Sequence, residues 1–142
     1  MASYRGYKKR LEGPIHFEQT CKIMWKEFCI GYITWIENEF YDIEVQIKPD
    51  WKLIDYLTTY TRMPEEIEGI DYSEEGREEV SIRDHIPAFV RRRVPPEGRE
   101  DVPAYLQKYG LDYYHPWHLL VAMRGRAYGE LYLEPIEEVI KI

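Results

Sequence analysis

The sequence predicts an α+β domain in which a small antiparallel sheet packs with three to four short helices. Strand patterns come first in the chain, helix signals follow them, and one more strand pattern lies near the C-terminus. This segregation of strands from helices favours α+β over a parallel α/β sheet. The chain has 142 residues, of which 44% are apolar, and this is enough for one core. We therefore expect residues 1–142 to form a single domain.

The first three strands are predicted from residue types and alternation. Residues 21–25 and 28–36 are rich in β-branched and aromatic side chains, and two charged residues separate them. In residues 41–48, apolar side chains beginning with Tyr41 alternate with polar ones, which indicates one buried and one solvated face. A three-stranded antiparallel meander is the economical arrangement.

Two helices are predicted on either side of an acidic segment. Asp50 can cap the first helix. The residues expected on its inner side are Ile54, Leu57 and Thr61. Asp84 can cap the second helix, with Pro87 tolerated in its first turn and Pro95 stopping it. Its predicted inner face consists of Ile86, Phe89 and Val90.

Two more helices and a fourth strand complete the predicted order. Asp101 and Gly110 frame the third helix. Its expected apolar stripe is Tyr105, Leu106 and Tyr109. The fourth begins at His115 and stops at Gly125, and its predicted buried residues are Trp117, Leu120 and Val121. Residues 127–133 can add an edge strand to the meander, with Pro135 ending it.

The negative charge is concentrated in one segment. Residues 65–80 contain eight acidic side chains and one basic side chain, whereas the rest of the chain contains 18 of each sign. We expect residues 64–80 to form an acidic loop that is mobile or docked on a basic surface. The basic N-terminus, residues 1–14, is expected to be flexible.

The chain lacks the residues that several classes of protein function require. There is no apolar stretch of a signal peptide or membrane span, which predicts a cytoplasmic protein that does not enter a membrane. Cys21 and Cys29 are expected to be reduced, packed thiols. No serine lies in a nucleophile motif. The cluster from Gly125 to Gly129 follows a helix and precedes a strand, the wrong order for a phosphate-binding loop. We therefore expect neither a catalytic residue nor a cofactor.

His115 and His118 are the best candidates for metal ligands. Their spacing places both on roughly one side of a helix start, close to Asp112. A zinc site needs at least three protein ligands, and the other histidines lie in unrelated segments. No metal is therefore expected, although a small metal-dependent hydrolase that uses His115 and His118 is one alternative.

Arginine and tyrosine residues predict a surface that binds a partner. The chain has 13 Tyr and four Trp, and such side chains are enriched at interfaces. Arg91, Arg92 and Arg93 are expected on the exposed face of the second helix, and Tyr113 and Tyr114 precede the fourth. A nucleic-acid-binding module is a second alternative, but the net charge of −7 opposes it. A free edge strand would also permit a homodimer.

Residues 86–135 resemble the C-terminal part of the HipA N-terminal subdomain. The matching features occur in the family's order, and they are Pro96-Glu97-Gly98, Tyr109-Gly110-Leu111-Asp112, Pro116-Trp117 with Leu119-Leu120, and Gly125 with residues 129–135. Upstream, residues 30–33 resemble the family's hairpin and residues 41–51 its following strand. The long acidic loop and the Tyr113-Tyr114 pair depart from the family pattern.

The resemblance implies an interaction partner. In HipA-like serine/threonine kinase toxins this subdomain is a small cap on the kinase core and does not bind ATP. Some systems encode it as a separate small protein that binds and restrains a shortened kinase. The resemblance therefore implies a non-catalytic module of the toxin–antitoxin type, which binds and regulates a HipA-like kinase.

Overall fold

The computed structural model describes residues 11–63, 80–82, 86–125 and 131–141. The strands of this part of the chain are β1 (Ile15–Trp25), β2 (Phe28–Asn38), β3 (Ile43–Pro49), β4 (Val80–Ile82) and β5 (Leu131–Lys141). They form one antiparallel sheet in the order β4-β3-β2-β1-β5. The helices are α1 (Trp51–Tyr60), α2 (Ala88–Arg91), α3 (Val102–Tyr109) and α4 (Pro116–Ala122). The predicted α+β class, with a meander and a C-terminal strand beside it, is confirmed.

Several strand boundaries differ from the prediction. β1 begins at Ile15 rather than at Cys21, and β2 continues beyond Ile36 to Asn38. Tyr41 does not begin β3 with a buried side chain, because it lies in the preceding turn and is exposed. Pro135 does not end β5, which runs through it at an irregularity in its pairing with β1. Proline is tolerated there because an edge strand at a bulge does not need every backbone N–H. Val80, assigned to the acidic loop, begins β4.

The helices follow most of their capping signals. Asp101 precedes α3 as expected, but its carboxylate accepts from Arg99 and does not cap the helix. The Asp50 side chain accepts a hydrogen bond from the N–H of Leu53, as an N-cap should. Thr61 is the C-cap of α1 rather than part of its inner face. Pro87 is the N-cap of α2, so this helix starts later than predicted and has a single turn. Gly110 ends α3 in the left-handed conformation, as expected.

The core lies between one face of the sheet and the helices. The inward side chains of β1 alternate along the strand, as the pleat requires. They are Phe17, Gln19, Cys21, Ile23 and Trp25, all buried. α4 covers this face with Trp117, Leu119 and Leu120. Trp117 is fully buried, as predicted. Val121 was also expected to be buried, but it is partly exposed, and Leu119 is buried instead.

The connection from α4 to β5 needs a glycine. Gly125 has φ of +69°, and a Cβ there would stand 2.8 Å from Cγ of Leu133. The N–H of Leu133 donates to the carbonyl of Arg124 at 2.7 Å, which joins the end of α4 to β5. A tight connection was predicted for residues 125–129, of which only Gly125 lies within the described residues.

Some predictions concern residues outside the described ranges. They are the N-terminus up to residue 10, the acidic loop from 64 to 79, the Asp84 cap, and the start of the last strand before residue 131. At the end of the predicted flexible terminus, the carbonyls of Glu12 and Pro14 accept hydrogen bonds from Asn38 and Glu39.

Candidate functional site

The predicted interface begins with three consecutive arginines, the first of which is the last residue of α2. Phe89 and Val90 are buried and anchor this single helical turn on the core. Arg91 and Arg92 are exposed, and the Arg91 guanidinium donates to the carbonyl of Ile86 at 3.0 Å. Two cationic side chains therefore reach the surface, as predicted.

Arg93 does not share that surface. Only 4% of it is exposed, and its guanidinium lies over the ring of Phe89, 3.9 Å from the centroid. It also donates to the carbonyl of Phe89 at 3.1 Å. The expectation that all three arginines face solvent is wrong for Arg93, because the helix ends at Arg91 and the chain beyond its C-cap turns the Arg93 side chain inward. Arg93 instead supports the segment from inside.

The two predicted tyrosines also differ from each other. Tyr113 is 60% exposed, and its ring lies edge-on to His118 with centroids 6.3 Å apart. Tyr114 is partly buried, and its hydroxyl donates to the carbonyl of Pro95 at 2.8 Å. Burial, with the charge of Glu97, raises the pKa of the Tyr114 hydroxyl. The structure thus ties Tyr114 to the arginine segment, defined as residues 91–95.

A second group of polar residues lies beneath the start of α4. The Glu37 carboxylate, on the inward face of β2, is buried and accepts three hydrogen bonds. The donors are His16 Nε2 at 2.8 Å, His115 Nε2 at 2.9 Å and Trp35 Nε1 at 3.1 Å. We call Glu37 and these three donors the Glu37 network. It joins β1, β2 and α4 through one carboxylate.

The network fixes the ionisation of Glu37. Burial alone would raise the pKa of this carboxyl, but the hydrogen bonds from His115, Trp35 and His16 outweigh burial and lower the pKa from 4.5 to about 2. Glu37 is therefore an anion at neutral pH. A carboxylate this acidic is a poor proton donor or acceptor near pH 7.

Both ring nitrogens of His115 are engaged. Its Nδ1 accepts from the N–H of His118 at 3.3 Å, which caps α4, and its Nε2 donates to Glu37. The donor–acceptor pattern assigns the proton to Nε2. His115 acts as a structural link between the helix start and the sheet.

His118 and Asp112 do not complete a metal site with His115. The rings of His115 and His118 are adjacent, with centroids 4.1 Å apart, while Asp112 is exposed. Within the described residues no group of three or more His, Cys, Asp or Glu is arranged to hold a metal ion. His118 lies instead against Phe17, with centroids 4.9 Å apart, and lines a shallow surface depression of about 350 Å³.

The surroundings of Cys21 are not those of a nucleophilic thiol. Both cysteines are free, Cys21 is buried, and burial raises the pKa of its thiol to about 12. A thiol that stays protonated is not a nucleophile.

Sequence reasoning missed Glu37 and Gln19, although a signal was present. Each is a polar residue at an inward position of a strand, where apolar side chains alternate around it. Gln19 is buried and its Oε1 accepts from Trp117 Nε1 at 2.8 Å. A buried polar side chain needs a partner, so both positions predict a bond to another element.

Comparisons with protein-family models, with curated proteins and with solved structures found no match to this chain. Among the helices of the described residues, none has the length and apolar character needed to cross a membrane.

Proposed function

We propose that this chain is a non-catalytic interaction domain that binds and regulates a HipA-like serine/threonine kinase through the arginine segment. The observation that carries the proposal is that Arg91 and Arg92 are exposed on a segment whose other side is buried. Arginine suits protein docking because its planar guanidinium pairs with carboxylates in bidentate fashion and stacks on aromatic rings.

The segment is supported from behind by two interactions. Arg93 packs on Phe89, and Tyr114 donates to the carbonyl of Pro95. A surface that is ordered before binding loses less conformational entropy when a partner docks. The exposed guanidinium groups of Arg91 and Arg92 are therefore the natural contact points.

The surroundings of Glu37 and His115, the most plausible catalytic side chains, support the proposal that the domain is non-catalytic. Glu37 and His115 are engaged in bonds that hold α4 on the sheet. Because both nitrogens of His115 are used within the protein, binding a metal there would require breaking one of these bonds. This counts against a hydrolase that uses His115 and His118.

A charge-reversal experiment tests the proposal. The Arg91→Glu, Arg92→Glu variant should lose pull-down of a co-encoded HipA-like kinase while its melting temperature stays close to that of the wild type, because exposed substitutions usually change stability by no more than about 0.5 kcal/mol. The matched control is Lys52→Glu, Arg62→Glu, which changes the net charge equally at exposed positions on and just after α1. It should bind normally.

Other outcomes would count against the proposal. Equal loss of binding in both variants would indicate a general charge effect, and a wild type that does not bind the kinase would exclude this partner. A single-stranded oligonucleotide at two salt concentrations provides a further comparison. Strong, steeply salt-dependent binding that is lost in the Arg91→Glu, Arg92→Glu variant would indicate nucleic-acid recognition instead.

A further inference from the structure

The turn between β2 and β3 carries two adjacent aromatic side chains into solvent. Phe40 is 67% exposed and Tyr41 is 76% exposed. We call residues 38–42 the aromatic turn. Contiguous exposed apolar surface on a folded chain is typical of an interaction site, particularly when polar residues surround it.

Asn38 fixes the backbone of the aromatic turn. Its side-chain Oδ1 accepts from the N–H groups of Phe40 at 2.9 Å and Asp42 at 3.0 Å. Its own N–H donates to the carbonyl of Asp42 at 3.1 Å, and its carbonyl accepts from the N–H of Tyr41 at 3.0 Å. Asparagine stabilises turns through such bonds to neighbouring backbone groups. The two aromatic residues are therefore presented in one backbone conformation.

Tyr41 adopts an unfavourable backbone conformation. Its φ is +66°, in the left-handed region that bulky residues avoid. Its ring contacts His16 edge-on, with centroids 5.4 Å apart, and His16 is bonded to Glu37. Most of the Tyr41 side chain is exposed, so burial does not explain why a tyrosine occupies this position. Such conformations cluster at sites that bind ligands or partners.

The segment before β1 holds the turn from the other side. The Asn38 side-chain amide donates to the carbonyl of Glu12 at 2.9 Å, and the N–H of Glu39 donates to the carbonyl of Pro14 at 3.0 Å. Gly13 leaves space for the ring of Phe40, since a Cβ there would stand 3.2 Å from its Cε2.

Acidic residues lie next to the two aromatic residues. Glu39 and Asp42 flank them in sequence, and Glu12 lies beside the turn through its backbone; all three are exposed. We propose that the aromatic turn is a docking element that inserts Phe40 and Tyr41 into an apolar pocket with a basic rim on a protein partner. Aromatic anchors in pockets provide most of the binding energy of many interfaces, and complementary charges orient them. A twofold contact between the aromatic turns of two copies would place these carboxylates against identical ones, and an anionic lipid surface would repel them.

Site-specific photo-crosslinking in the protein's own host tests this surface. The photoreactive amino acid p-benzoylphenylalanine replaces Phe40 in the full chain, and it replaces Tyr60, an exposed residue of α1, as the matched control. The expected result is a discrete protein adduct from position 40 only, attached at apolar residues that neighbour Lys or Arg. An adduct to a second copy, to lipid or to acidic surfaces would overturn the proposal, as would the absence of a discrete adduct.

The protein identified in the crosslinked adduct is then purified, and its affinity for the wild type and for variants is measured. The Phe40→Gln, Tyr41→Asn variant should bind at least about tenfold more weakly than the wild type, the size of loss expected for removal of anchor residues. The Tyr56→Gln, Tyr60→Gln variant removes a second exposed aromatic pair and should bind within about twofold. Equal losses in the two variants would contradict the proposal.

Thermal melting separates docking from a structural role. The turn variant should melt at or above the wild-type temperature, because asparagine tolerates the left-handed conformation and little buried area is removed. A melting temperature lowered by several degrees would mean that the aromatic rings hold the turn together, which would overturn the docking role. No kinase is added in these experiments, so failure of the kinase proposal does not affect their outcome.

Discussion

Polar side chains beneath α4 and those of the arginine segment have different surroundings. Under α4 the polar groups are buried or partly buried, and hydrogen bonds join them between the sheet and the helix. In the arginine segment one guanidinium is buried and its two predecessors face solvent. The difference indicates that the region beneath α4 stabilises the fold, whereas the arginine segment presents two charged side chains to solvent.

The strongest test of this contrast is Trp117→Ala. Trp117 is fully buried, stacks on Trp35 with centroids 5.7 Å apart, and bonds to Gln19. Removing it empties a large aromatic site and leaves the Gln19 amide without its partner, so we expect a loss of about 3–5 kcal/mol in the free energy of unfolding. Urea unfolding measures this loss. An unchanged stability would place Trp117 outside the core.

Glu37→Gln tests the network that holds α4 on the sheet. Glutamine has the same size as glutamate, but it lacks the negatively charged carboxylate whose oxygens accept hydrogen bonds from His16, His115 and Trp35. Charge-assisted hydrogen bonds contribute about 1.5–3 kcal/mol, so we expect the variant to lose about 2 kcal/mol at pH 7. Urea unfolding of both proteins at the same pH gives the difference.

The pH dependence of that difference has a definite sign. Because the pKa of Glu37 is about 2 in the folded protein and 4.5 ordinarily, the unfolded chain takes up the proton first as the pH falls. The stabilisation by the carboxylate is complete above about pH 4.5 and is lost progressively towards pH 2. The gap between wild type and Glu37→Gln should therefore narrow between pH 5 and pH 3. A gap that stays constant would show that charge is not its cause.

Local patterns predicted the strands and helix caps better than they predicted the site. The meander follows from alternation within each strand, and the Asp50 and Gly110 caps depend on neighbouring residues only. Bonds from Glu37 to His115 and from Gln19 to Trp117 span 78 and 98 residues in sequence, so no local pattern contains both partners. An inward polar residue predicts that a partner exists, but only the fold identifies it.

Two errors of prediction arose where a regular pattern was extended too far. The alternation of β3 was continued back to Tyr41, but the hydrogen bonds of Asn38 place Tyr41 in the turn before the strand. The helical face of α2 was continued to Arg93, but α2 has one turn and Arg93 turns onto Phe89. In both places local hydrogen bonding or packing overrode periodicity.

The smallest expected effect compares two adjacent tyrosines. Tyr114→Phe removes only the hydroxyl that donates to the carbonyl of Pro95, whereas Tyr113→Phe removes the hydroxyl of an exposed ring. A net hydrogen bond contributes about 0.5–1.5 kcal/mol, so Tyr114→Phe should lower the free energy of unfolding by about 1 kcal/mol while Tyr113→Phe leaves it nearly unchanged.

Kinase binding adds a second readout to the same pair of variants. Tyr114 anchors the arginine segment, so Tyr114→Phe should weaken pull-down of the proposed kinase partner mildly by loosening Arg91 and Arg92, without removing either charge. Tyr113→Phe keeps the aromatic ring at the surface and should weaken binding only if its hydroxyl contacts the partner directly. If Tyr113→Phe weakened binding more than Tyr114→Phe at unchanged stability, Tyr113 would be a direct contact, and the role of Tyr114 as a support would not matter for binding.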